Sequence, residues 1–200
     1  MNGLSIITPT QGRETLARML ASAGPLGPDD EWLIMVDAFE LPSGEPDRID
    51  SLAKPYGCTT VGGDAGRHTW GHDQLNAGLE RARPGNYIVF MDDDDVFAPD
   101  ALDNVRTAIA RDVADGAARL HLWQFLTPWR AILPVWPDLR EARVGGHCIV
   151  TPNVTGMVGR FGPEYNGDYG YIRDTLALWG GVDNGRVAWH PSLIAITRPD

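Results

Sequence analysis

The sequence predicts an α/β fold on a mainly parallel sheet with right-handed crossovers, and three observations carry that expectation. Short runs of strand-forming residues alternate with stretches of helical periodicity through the first 110 residues, the order expected of a parallel sheet flanked by helices. The runs are apolar along most of their length, as strands buried on both faces are. One of them, Tyr87-Ile88-Val89-Phe90-Met91, stops abruptly in four consecutive carboxylates, Asp92 to Asp95. In open α/β sheets ligands bind beyond the carboxyl ends of the strands.

Leu4 to Thr8 is a short apolar run closed by Pro9 and Gly12, and Glu14 to Ala23 then sets Leu16, Met19 and Leu20 on one helical face. Glu31 to Val36 reads as a second buried strand ending at Asp37, followed by a loop rich in Pro, Ser and Gly. Thr59 to Val61 reads as a short strand, Asp73 to Ala82 as a helix stopped by Arg83-Pro84-Gly85, and Tyr87 to Met91 as the next strand. Asp100 to Ala110 reads as a helix and Arg119 to Leu126 as a strand. From Thr127 to Asn153 the chain is rich in Trp, Pro and Gly, with hairpin strands expected at Arg130 to Val135 and Gly146 to Val150. A last helix, Tyr169 to Trp179, precedes a terminal strand, Val187 to Ile196. No repeat or long linker divides the chain, so residues 1–200 are expected to form one domain, with a small lobe in the second half.

Composition narrows the partners. The formal net charge is −10, from 27 acidic and 17 scattered basic residues, which disfavours a long electrostatic footprint on nucleic acid. Cys58 and Cys148 match neither a disulfide framework nor a zinc pattern, so both are expected as reduced thiols in a cytoplasmic protein. No segment has the length and apolar character of a membrane span or a signal peptide.

Four adjacent Asp residues repel one another and cannot all be desolvated without a counter-charge. Hard divalent cations such as Mg²⁺ and Mn²⁺ take carboxylate oxygens and share their remaining positions with substrate phosphates. The acidic run therefore predicts a metal-diphosphate site, although one or two of the Asp residues could instead cap the helix that follows. An EF-hand loop is excluded, because the sixth position from Asp92 is Phe97 and the twelfth is Asp103.

Taken with its surroundings, the chain resembles a small family 2 glycosyltransferase of the GT-A fold. Ser5-Ile6-Ile7-Thr8-Pro9-Thr10-Gln11-Gly12-Arg13 is similar to that family's opening strand and loop, Gln74-Leu75-Asn76-Ala77-Gly78-Leu79 to its Asn- and Gly-containing helix, and Phe90-Met91-Asp92-Asp93-Asp94-Asp95 to its DxD motif. The resemblance implies a GT-A type, Rossmann-like sheet, with residues 1–110 as the nucleotide-sugar half and 111–200 as the acceptor side. It implies a metal-dependent, inverting transfer of a sugar from a nucleotide donor, UDP-linked, to an acceptor hydroxyl, with Mn²⁺ or Mg²⁺. A nucleotidyltransferase or an inactive nucleotide-sugar-binding module stands as the alternative. The acceptor is left open among a glycan, a protein, a metabolite and a modified base.

Carried residue by residue, the resemblance puts Asp92 at the ribose or metal shell, Asp94 on the metal, and Asp93 and Asp95 beside them. Thr8, Pro9 and Arg13 are placed in the nucleotide pocket, Asp37 against the base, and Arg67 against the base or diphosphate. His190, beyond the last helix, is placed as a further metal ligand. Gly167-Asp168-Tyr169 resembles the family's Glu-Asp motif, which makes Asp168 the general base and Glu164 its alternative. Gly167 stands where the family often has Glu. Asp168 also reads as a cap of the helix from Tyr169, where a carboxylate's pKa is expected to fall. Trp129 and Trp136, each beside proline, are candidates for an exposed acceptor platform, whereas Trp123 is expected in the core.

Overall fold

The computed structural model describes residues 3–37, 41–63, 69–181 and 185–199. In chain order its strands are β1 (Leu4–Thr10), β2 (Glu31–Asp37), β3 (Thr59–Gly63), β4 (Tyr87–Phe90), β5 (Val96–Phe97), β6 (Leu120–Leu126), β7 (Ile132–Leu133), β8 (Ile149–Pro152) and β9 (Val187–Ile196). Its α-helices are α1 (Leu16–Ser22), α2 (Glu45–Ala53), α3 (His72–Arg81), α4 (Ala101–Ala114) and α5 (Gly167–Leu178).

The strands form one sheet in the order β3-β2-β1-β4-β8-β6-β9-β5, with β7 hydrogen-bonded to β6. The first four strands of that order are all parallel. Beyond them β8 runs antiparallel to both β4 and β6, and β6 is parallel to β9. Every residue of β1 and β4 is buried, as is every residue of β2 after Glu31. This is the pattern that uninterrupted apolar runs produce when helices cover both faces. In α3, a Cβ on Gly78 would stand 2.4 Å from Ile7 Cγ2, so glycine lets the helix lie close against β1. Asn76 of the same helix both donates to the Phe161 carbonyl at 2.9 Å and accepts from the Phe161 N–H at 3.0 Å. It thereby ties the first half of the chain to the approach to α5.

The sheet parts where the site lies. β4 and β8 pair only through Tyr87 and Ile88, so beyond them the two strands diverge and the chain after Phe90 faces an opening.

Besides the two-residue strand β5, which the sequence pattern did not assign, three elements differ from expectation. The segment after β2 contains helix α2, because Pro46 sits in the first helical turn, where proline is tolerated, while Glu45 and Asp47 favour the helix dipole and Ile49 and Ala53 reach the core. The hairpin strand expected at Arg130 to Val135 shrinks to Ile132–Leu133, since Pro134 has no N–H to extend the ladder. Residues Gly146–Cys148 form a 3₁₀ turn, and β8 starts after them. Among the described residues no helix is long and apolar enough to cross a membrane.

Candidate active site

The four carboxylates leave β4 in a turn closed by the Asp95 N–H donating to the Asp92 carbonyl at 3.2 Å. The turn sends alternate side chains to different partners. Asp93 is buried, accepts from Thr10 Oγ1 at 2.6 Å and pairs with Arg13 Nη1 at 3.1 Å. Asp95 is also buried. It accepts from the Arg198 backbone N–H at 2.9 Å, and His147 Nδ1 lies 3.5 Å from its other oxygen. Asp94 stands between two guanidiniums, with Arg13 Nη1 at 3.0 Å and Arg198 Nε at 3.2 Å. Asp92 opens to the cleft. One oxygen from each of Asp92, Asp94 and Asp95 falls within 4.8 Å of the other two.

The electrostatics show what the cluster lacks. Removal from water pushes Asp92 well above the usual carboxylate range, and the charges of Asp95, Asp168, Asp94 and Asp93 push it further. Burial also raises Asp95, to about 7. Asp93 is raised by burial as well, against the opposing pull of Thr10 and Arg13. Arg13 and Arg198 therefore leave negative charge uncompensated, and three converging hard oxygen donors fit a small divalent cation.

The turn forms the floor of a cleft of about 720 Å³, whose walls include Pro9, Gln11, Asp37, Trp70, Tyr165 and Asp168. Asp168 lies in the first turn of α5, which begins one residue before it, and the N-cap position belongs to Asn166. Its carboxylate accepts from the Gly146 backbone. Burial raises its pKa to about 6, against the lowering pull of the Gly146 hydrogen bond, so the outcome is opposite to the expected lowering. Gly167 has a packing reason: a Cβ there would stand 2.5 Å from His72 Cε1 and 2.7 Å from the Gly162 carbonyl oxygen. His72 fills the space that a longer side chain at 167 would need.

Several expected site residues are placed elsewhere. Thr8 is fully buried, and its hydroxyl accepts from Trp32 Nε1 at 3.0 Å; Thr10, two residues on, is the threonine at the site. His190 does not line the cleft. Its Nε2 lies 3.0 Å from His121 Nδ1, and its ring stacks on Trp123 at 3.9 Å. His121 in turn meets Asp112, which also holds Arg119 at 2.6 Å. Glu164 is exposed and does not line the cleft. Asp37 lies at the end of β2 on the cleft wall and accepts from Gln11 Nε2 at 3.1 Å. Arg67 lies outside the described residues. Trp123 is in the core, Trp129 is exposed, and Trp136 is partly covered by its stack on Trp189.

Sequence reasoning missed Arg198, Trp70 and Tyr165 as cleft residues. Arg198 reaches Asp94 from 104 positions away, a closeness that local pattern cannot signal.

The family model for glycosyl transferase family 2 matches residues 5–160. The chain belongs to that family. Its acidic turn stands where the sequence resemblance places the family's DxD motif. No curated protein matches the sequence. Among solved structures, S. aureus TarS superposes over 100% of this chain and 37% of its own, with a TM-score of 0.75 and 13% identity. The mannosyltransferase PcManGT from Pyrobaculum calidifontis, in complex with GDP-Man and Mn²⁺, covers 99% of this chain and 57% of its own at TM-score 0.65 and 16% identity. Glucosyl-3-phosphoglycerate synthase from Mycobacterium tuberculosis, solved with Mn²⁺, UDP and glucosyl-3-phosphoglycerate, covers 100% and 73% at TM-score 0.67 and 14% identity. At these identities the likeness is one of fold, and the chain spans less than two thirds of TarS and of PcManGT.

Proposed function

We propose that this family 2 protein is a glycosyltransferase that moves a sugar from a nucleoside-diphosphate donor, UDP-linked, to an acceptor hydroxyl, in a metal-dependent reaction that inverts the anomeric carbon. The carrying observation is that Asp92, Asp94 and Asp95 converge on one floor while the partly buried Asp168 stands on the wall of the same cleft. Neighbours of the same fold solved with UDP, GDP-Man and Mn²⁺ support the donor class and the metal.

In this reading Asp92, Asp94 and Asp95 hold Mn²⁺ or Mg²⁺. A divalent ion bound there supplies Lewis-acid stabilisation of the charge on the departing diphosphate. Arg13 and Arg198, already beside Asp94, turn toward the phosphate oxygens as fixed cations. Pro9 and Asp37 flank the nucleotide. Asp168 accepts the proton of the acceptor hydroxyl as its oxygen bonds to the anomeric carbon and the bond from that carbon to the diphosphate breaks. With its pKa at about 6, Asp168 is ionised at neutral pH yet more basic than an exposed carboxylate, as general-base work requires. A cytoplasmic location belongs to the same reading, supported by the unpaired thiols of Cys58 and Cys148.

Calorimetric titration with UDP, GDP, dTDP and CDP, with and without Mn²⁺, tests this on wild type and Asp94→Ala. The expected result is metal-dependent binding of UDP that weakens at least about tenfold in the variant. Absence of binding to every nucleotide would overturn the reading, and metal-dependent release of pyrophosphate from a nucleoside triphosphate would redirect it to nucleotidyl transfer.

A further inference from the structure

We infer that the rim beside Asp168 is an acceptor subsite for an uncharged sugar, formed by Trp70 and Tyr165 with Thr69 and Gln74 behind them. The inference rests on the proposed transfer and names the acceptor class for it.

The two aromatic side chains are among the most exposed large residues described, Trp70 at 66% and Tyr165 at 75%, yet they touch each other edge to face with centroids 5.0 Å apart. Both line the cleft, and Tyr165 precedes Asp168 by three positions. Trp70 is held in place at a cost, since it occupies the left-handed region with φ 58°, where a bulky side chain is strained by about 1–3 kcal/mol. Gly71 follows with φ 85°, and a Cβ there would stand 3.1 Å from Pro9 Cβ. This double left-handed turn packs against the end of β1 and presents the indole to the cleft instead of the core.

Polar groups nearby also lack partners. Thr69 Oγ1 and Gln74 Oε1 belong to cleft-lining side chains that are 9% and 5% exposed, and neither makes a hydrogen bond. Buried polar atoms are rarely left unpaired, and sugar hydroxyls are suitable partners. Aromatic rings beside a few hydrogen-bonding groups suit a ligand with an apolar C–H face and a ring of hydroxyls. Charge selects further. Among the described cleft residues seven carboxylates face two guanidiniums, Arg13 and Arg198, and both of these are already engaged with the acidic turn. Among the described cleft residues, an acceptor bearing phosphate or carboxylate would find no further guanidinium or ammonium group.

The test uses the full chain loaded with UDP and Mn²⁺, with methyl glycosides of glucose, galactose, mannose and rhamnose as probes beside the 6-phosphates of the three hexoses. Binding is read by tryptophan fluorescence and saturation-transfer NMR. At least one neutral glycoside should bind, its 6-phosphate should bind at least tenfold more weakly where it exists, and Trp70→Ala should weaken neutral-glycoside binding at least tenfold. Tyr165→Ala supplies a second variant on the exposed rim, with the same expected direction. Failure of every neutral glycoside to bind, equal binding of a phosphate, or full retention of binding in both variants would overturn the subsite. UDP affinity, measured in parallel on the wild type, reports separately on the donor reading, so the two can fail independently.

Discussion

Two clusters of acidic side chains lie toward opposite ends of β9, and they are built in opposite ways. Near the strand's start, Asp112 is matched by Arg119 at 2.6 Å and His121 at 3.1 Å, and His121 continues to His190. Just past its end, Asp93 to Asp95 share Arg13 and Arg198, and loss of water together with mutual repulsion pushes Asp92, Asp93 and Asp95 upward. The first cluster is a closed set of partners that anchors the end of α4 to the sheet. The second is an open set, and a folded protein tolerates such an imbalance where a ligand restores it. Buried charge alone therefore does not mark a site; incomplete compensation in a cleft does.

The sharpest separation should come from Asp168→Asn. We expect transfer to fall about 10²–10⁴-fold, the usual range for a lost general base, with UDP affinity unchanged. Steady-state rates beside a binding titration check this, and near-wild-type transfer would remove Asp168 from the mechanism. In wild type, kcat/KM should fall as pH drops through about 6, because the base must be ionised.

Asp112→Ala should do the converse. Removing the shared partner of Arg119 and His121 is expected to cost about 3 kcal/mol of stability, read by urea unfolding, while UDP affinity stays within twofold. If nucleotide binding collapses and stability does not, the contrast between the clusters is wrong.

Gly167→Ala probes the packing behind the open cluster. With His72 Cε1 only 2.5 Å from the new Cβ, a loss of about 1–3 kcal/mol is expected from overpacking. His72→Ala in the same chain should recover part of it.

The smallest effect is linked to pH. Asp92, Asp95 and Asp168 have raised folded pKa values, Asp95 about 7 and Asp168 about 6. Their contribution favours the fold below the ordinary carboxylate value of 3.8 and is lost as pH rises through about 7. His121 and His190 are lowered, His190 to about 4, so their contribution is full above 6.5 and is lost as pH falls toward 4. Mn²⁺ should offset only the acidic term. The gain in Tm on adding Mn²⁺ is expected to grow from pH 4 to pH 7, on the order of 3 °C per kcal/mol, and a pH-independent gain would argue against carboxylate ligation.

Where chemistry was local, the sequence was readable. The run Tyr87 to Phe90, the acidic turn after it and the strand Val187 to Ile196 lie where pattern put them. Helix α2 was hidden because Gly44 and Pro46 look like loop residues when their places at a helix start are unknown. His190 misled for a related reason: strand periodicity gives a side chain's face but not the neighbour on it, and here that neighbour is Trp123 in β6. Thr10 and Thr8 lie two apart in one strand, and only the packing of Trp32 decides which hydroxyl is free for Asp93.

Arg198 has a bearing on how the molecule comes into being. The parallel strands β1 to β4 lie within the first half of the chain and can pair as soon as it has emerged, but the backbone contact to Asp95 comes from 103 positions later. Contacts between such distant positions form late, because the intervening loop must first be closed. A ribosome-bound chain that has completed β4 thus displays its acidic turn with Arg13 but without Arg198, and the proposed metal-nucleotide pocket becomes whole only when β9 has docked.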